Sequence, residues 1–117
     1  MKLTETAFGN AQPIEGYGPG FYRLGGVAYP APVGFRPGAV INWQGLDDSA
    51  PLLALAGAVD VLLVGTGPQT APIPAPLRAA LEAAGIGVEI MASATACRTY
   101  NVLLAEGRRI AVALLPA

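Results

Sequence analysis

The period of the hydrophobic positions changes once near the end of the chain, and the change separates two elements. Placed at 100° per residue, Ala96, Cys97, Tyr100, Leu103 and Leu104 fall on one face, and Thr95, Arg98, Val102 and Glu106 on the other. That pattern predicts an amphipathic helix with its apolar stripe on the core. Ser93 stands where a hydroxyl can cap the first turn. Gly107 stands where a left-handed residue ends a helix, and Arg108 and Arg109 follow where the dipole favours cations. From Ile110 to Leu115 there is no polar position at all, which predicts a strand covered on both faces.

Val59 to Val64 also lacks polar alternation, with Asp60 near its start, and predicts a second strand covered on both faces; Val88 to Met91 predicts the next strand. Between them, Pro72, Pro74 and Pro76 introduce a predicted helix over about Ala75 to Ala84, ended by Gly85. Strand, helix and strand at this spacing predict a βαβ unit with a right-handed crossover. A shorter helix is expected from Pro51 to Gly57, with Asp47, Asp48 or Ser49 as its cap. Upstream, Phe21 to Leu24 and Val27 to Tyr29 flank Gly25-Gly26, a hairpin signal. Gly16-Tyr17-Gly18-Pro19-Gly20 predicts a tight turn, and Leu3 to Phe8 a short first strand. Pro30, Pro32 and Pro37 predict an irregular segment, followed by a strand from Ala39 to Trp43. Together these elements predict one α/β domain over residues 1–117, with a mixed sheet, an antiparallel N-terminal portion and helices on its faces.

Composition narrows the chemistry. Among the 117 residues, 53% are hydrophobic and 13% charged, with a formal net charge of -1, so no basic surface for nucleic acid is expected. There is no histidine, which removes the commonest general base and metal ligand. Cys97 is the single cysteine and lies on the apolar stripe, so a buried thiol is expected and no metal or cofactor. Met1 to Thr6 lacks the apolar run of a signal peptide. The stretch from Pro51 to Val64 is broken by Gly57 and Asp60 and is shorter than the roughly 20 residues of a membrane span. A cytoplasmic, non-spanning protein is expected.

Two groups of residues are candidates for a site. The first is a polar cleft. Gly65, Thr66 and Gly67 follow one predicted parallel strand, and Ser93 follows the other, on the sheet edge where α/β proteins hold ligands. With Thr95, Thr99 and Asn101 they would suit weak binding of a small anion or carboxylate; the alternative is ordinary capping and loop closure. A dinucleotide site fits poorly, because Thr70 stands in place of the third glycine and Pro68 removes an amide. The second group is Tyr29, Phe35 and Trp43, which suit either core packing or a contact surface for a protein partner.

Met91, Ser93, Ala96-Cys97-Arg98-Thr99-Tyr100-Asn101, Leu103, Glu106 and Arg108, with Gly16 to Phe21 and Gly65-Thr66-Gly67 upstream, resemble a known pattern. It is that of the small domain-of-unknown-function family that includes the mitochondrial complex I assembly factor three and an adipogenesis-associated human protein. The chain departs from the family at Ala92, where an acidic residue is frequent, and at Thr95, where a small one is. The resemblance implies a three-layer domain whose last strand lies inside the sheet, antiparallel to its neighbours. It also implies a non-catalytic interaction or assembly module with protein partners in a membrane-associated complex. The alternative expectation is a small-molecule or anion binder, or an enzyme, working through the cleft at Gly65 to Gly67 and Ser93.

Overall fold

The computed structural model describes residues 12–117, and at its centre lies the apolar segment Ile110–Leu114, buried at every position. In chain order the elements are β1 (Ile14–Gly18), β2 (Phe21–Leu24), β3 (Val27–Pro30), β4 (Val33–Arg36), β5 (Ala39–Ile41), α1 (Ala50–Leu53), β6 (Val61–Gly65), α2 (Ala75–Ala83), β7 (Gly87–Met91), α3 (Ser93–Ala105) and β8 (Ile110–Leu114). The strand expected at Leu3 to Phe8 lies outside the described residues.

The strands form two sheets, β1-β2-β3 and β5-β4-β8-β6-β7. The antiparallel N-terminal portion is therefore partly a sheet of its own. In the larger sheet β8 is antiparallel to β4 but parallel to β6, which corrects the expectation of two antiparallel neighbours. The crossovers explain this. Helix α2 carries the chain from β6 outward to β7, and α3 carries it back across β6 to β8. A helical crossover delivers a parallel strand, and two right-handed crossovers of opposite direction place their helices on opposite faces.

The core records that division with period 2. Ala111 and Ala113 of β8, with Leu62 and Val64 of β6, face the side of α1 and α2, where Leu52, Leu77 and Leu81 cover them. Ile110, Val112 and Leu114, with Leu63, face Ala96, Cys97 and Tyr100 of α3 and Tyr22 of the small sheet. Three layers result, and the two apolar runs read from the sequence are the two strands covered on both sides.

Both longer helices end as their glycines predict. Arg108 N–H donates to Leu103 O at 3.1 Å and Gly107 N–H to Leu104 O at 3.0 Å, with Gly107 at φ 74°. Ile86 and Gly85 repeat the arrangement on Leu81 and Glu82 at 3.0 and 3.0 Å. Each is a Schellman motif, which satisfies the last carbonyls of a helix. The hairpin at Gly25-Gly26 also forms, with φ of 60° and 78° as a type I′ turn requires.

Four expectations change. Gly16, Tyr17 and Gly18 lie in β1, and only Pro19 and Gly20 make the turn to β2. The segment among the prolines contains strand β4, because Pro32 and Pro37 flank Val33–Arg36 without entering it. The next strand stops at Ile41, short of Trp43. Helix α1 is one turn, and Ser49 occupies the cap position without a side-chain capping bond.

Candidate functional site

Strands β6 and β7 run parallel, so their C-terminal ends at Gly65 and Met91 are register partners. Helix α3 begins two residues later. The sheet therefore brings Gly65, Thr66 and Gly67 against Ser93, as their positions in the sequence suggest. Their polar groups bond to one another. Gly67 N–H donates to Ser93 Oγ at 2.9 Å, and the Ser93 hydroxyl donates to Leu115 O at 3.0 Å. Ser93 N–H donates back to Gly67 O at 2.8 Å, and Thr66 N–H to Met91 O at 2.9 Å. The Thr66 hydroxyl donates to Gln69 O at 2.7 Å and accepts from Ala71 N–H at 2.9 Å.

Ser93 is not the cap of its helix. Ala92 holds the cap position, and Ser93 is the first helical residue, fully buried. Its hydroxyl instead ties the β6 loop to the end of β8. The close approach depends on Gly65: a Cβ there would lie 2.9 Å from Ser93 Cα and 2.8 Å from Leu114 Cδ2. Gly67 adds a left-handed φ of 105°. A further member of the junction is Tyr22, whose hydroxyl donates to Leu115 O at 2.6 Å, so that carbonyl accepts from two side chains. Burial pushes the Tyr22 hydroxyl pKa up. Tyr22 was missed in the sequence, because its partner lies 93 residues away.

The remaining cleft candidates separate along α3. Thr95 is exposed, and Thr99 is half-buried one turn further on. Asn101 is inside the helix, and both ends of its amide bond to Ile14 of β1: Oδ1 accepts from the amide at 2.8 Å and Nδ2 donates to the carbonyl at 2.9 Å. On the coreward side, Cys97 is buried and its thiol is pushed up to about 11 by desolvation. Desolvation also raises the Tyr100 hydroxyl. Buried, protonated groups of this kind are poor nucleophiles and bases.

The aromatic group divides across the large sheet. Tyr29 and Phe35 meet edge to face at 5.5 Å in the core under α3. Trp43 belongs to the core on the opposite face, under α1 and α2. Phe35 and Trp43 are both fully buried, so of the three only Tyr29 reaches the surface. Among the described residues, the exposed large apolar side chains are Tyr17, Val27, Val40 and Val102. Among the described residues, no helix is long and apolar enough to cross a membrane.

Compared with known families, residues 14–115 match the one described as a protein of unknown function, DUF498/DUF598. The chain belongs to this family. An uncharacterized protein from Rhodobacter capsulatus is 49% identical over 116 residues, covering 99% of this chain and 94% of that protein. Human NADH dehydrogenase (ubiquinone) 1 alpha subcomplex assembly factor 3 is 28% identical over 123 residues. That match takes in 99% of this chain but 67% of the human protein, so the assembly factor is about half as long again. Among solved structures, one described as an outer membrane protein from Bartonella henselae superposes with a TM-score of 0.82 at 31% identity, over 90% of this chain and 94% of that one. These likenesses carry the α/β fold of the DUF498/DUF598 domain across nearly the whole chain.

Proposed function

We propose that this DUF498/DUF598 domain is a non-catalytic interaction module that acts in the assembly of a membrane-associated respiratory complex, working from the cytoplasmic side. The observation that carries the reading is the likeness of almost the entire chain to a protein named for assembling NADH dehydrogenase. The chemistry of the chain agrees with it. The polar junction at Gly65 to Gly67 and Ser93 is internally bonded and works as a latch between the loop, α3 and β8. The chain has no histidine, and the thiol of Cys97 is buried. The partner face on this reading is the seam where Tyr29 and Val40 come together beside Pro30, Pro32 and Asn42, a groove of about 380 Å³. Tyrosine is among the side chains that most often anchor protein contacts, and Tyr29 lines this groove.

The test is the amount of assembled NADH dehydrogenase in native cells lacking the protein, measured on native gels with and without complementation. A reduced complex, restored by the wild type but not by Val40→Asp, supports the reading. A complex assembled to the same extent without the protein rules it out.

A further inference from the structure

A second cleft opens at the other end of the large sheet, away from the Ser93 junction. Ligands of α/β sheets usually sit at the C-terminal ends of the parallel strands. This cleft lies instead where β6 and β8 begin and the antiparallel β4 ends. Its volume is about 350 Å³, and Pro37, Val59 and Leu104 give it apolar walls. That is the lower range of small-molecule sites, which combine an apolar lining with a few polar groups.

The polar groups here are three arginines. Arg36 ends β4, and Arg108 and Arg109 follow α3; all three line the cleft. The chain has seven Lys and Arg residues and a net charge of -1, so three of its cations at one cleft is a local excess. Two carboxylates stand beside them. Asp60 Oδ1 accepts from Arg109 Nη2 at 3.1 Å, and Glu106 Oε1 is 3.9 Å from Arg108 Nη1. Three guanidinium groups against two carboxylates leave one positive charge. Both ion pairs are about half exposed, and such pairs exchange readily for a ligand carboxylate. The cleft is built to stay open. Gly107 turns the chain at its rim with φ of 74° and adds no side chain. The carbonyls of Leu103 and Leu104 at the helix end are already satisfied by the Schellman bonds, so they do not compete for the guanidinium groups.

We infer that the cleft between Arg36, Arg108 and Arg109 binds a small amphipathic monoanion, a carboxylate head on the arginines with a short apolar body against Pro37, Val59 and Leu104. The site is formed within one chain, so it stands or falls independently of the assembly role. Guanidinium groups are charged at all working pH values and pair with carboxylates through two parallel hydrogen bonds. The charge excess of one selects a monoanion, and the apolar walls reject a bare inorganic ion.

The test is amide NMR on the full chain, titrated separately with hexanoate, 1-hexanol and inorganic phosphate. Hexanoate should give saturable shifts at residues 36–38, 58–59 and 107–110. The alcohol and phosphate should bind about tenfold more weakly or less, because each lacks one half of the interaction. Arg36→Gln and Arg108→Gln, made singly and together, should keep the melting temperature and lose hexanoate binding about tenfold, whereas Arg98→Gln on the exposed face of α3 should not. No saturable shift with hexanoate overturns the proposal. So does equal binding of the alcohol, equal binding of phosphate, or unchanged binding in the folded arginine variants.

Discussion

Asn101 occupies both backbone hydrogen-bonding groups of Ile14: its Oδ1 accepts from the amide at 2.8 Å and its Nδ2 donates to the carbonyl at 2.9 Å. One side chain thus does for Ile14 what a neighbouring strand would do. It does so where the β1–β2 pairing is irregular, between Ile14 and Gly16, so helix α3 supplies the partner at the point where the ladder falters.

Replacing Asn101 should therefore loosen β1 before the rest of the molecule. Asn101→Ala leaves a part-buried donor and acceptor without partners, at a cost of about 1–3 kcal/mol. Asn101→Asp keeps an acceptor for the amide but sets a carboxylate oxygen against the Ile14 carbonyl in place of the donor, so it should not restore the wild-type stability. Hydrogen exchange reads the difference. The Ile14 amide should lose protection in both variants, while amides of β6 and β8 lose only what the global stability loses.

The Ser93 junction gives a second expectation. A surface cap lost to alanine costs about 1 kcal/mol. Ser93 is fully buried and bonded to Gly67 N–H and Leu115 O, so Ser93→Ala should cost more, about 2–3 kcal/mol by denaturant unfolding. Gly65→Ala should be at least as severe, because its new methyl group meets the Ser93 Cα at 2.9 Å, backbone that cannot swing aside. Combined, the two substitutions should be non-additive, since both act on one contact.

How much of this was legible follows the range of the interactions. The two strands covered on both faces, the stripe of α3 and the glycine stops are local patterns, and Gly85 and Gly107 end their helices as read. The βαβ unit placed Gly65 to Gly67 beside Ser93. What Ser93 does there was not legible, because its partners lie 26 and 22 residues away. Strand β4 was hidden by its prolines, and with it the reason Phe35 and Trp43 face opposite sides of a sheet. The same omission concealed the meeting of Arg36 with Arg108 and Arg109, since only the antiparallel pairing of β4 with β8 brings those ends together.

The pH dependence should be one-sided. Without histidine, no side chain has an ordinary pKa between about 5 and 8, so stability should be nearly flat there. In the alkaline range Cys97 is raised to about 11 by burial, and Tyr22 and Tyr100 are raised as well. A raised folded pKa means that the native state holds its proton longer than the unfolded chain. The stability this provides is complete below the unfolded value, about 9 for the thiol and about 10 for the tyrosines, and is lost as pH climbs through the folded one. Denaturation midpoints should fall steadily above pH 9, and less steeply in Cys97→Ala. At pH 8 the native thiol should react with a disulfide reagent roughly a hundredfold more slowly than in denaturant.

The sharpest test of the architecture is Val112→Asp. Val112 is the middle residue of β8, fully buried, opposite Leu63 of β6 on one side and Phe35 of β4 on the other. Its side chain points at α3, among Ala96, Cys97 and Tyr100. The one basic residue of that helix, Arg98, is exposed, so a carboxylate placed here would have no cation of α3 to pair with. An unpaired buried charge costs several kcal/mol even after its pKa rises, against a total stability of about 5–15 kcal/mol for a domain. Val112→Asp should be insoluble or unfolded at neutral pH, whereas Val112→Ile, which keeps the site apolar, should fold, with a melting temperature lowered by the strain of one added methylene. The matched control is Val102→Asp, whose position on the exposed face of α3 predicts little change. If Val112→Asp were soluble and melted with the wild type, β8 could not be the centre of the sheet, and the path of both crossovers would have to be redrawn.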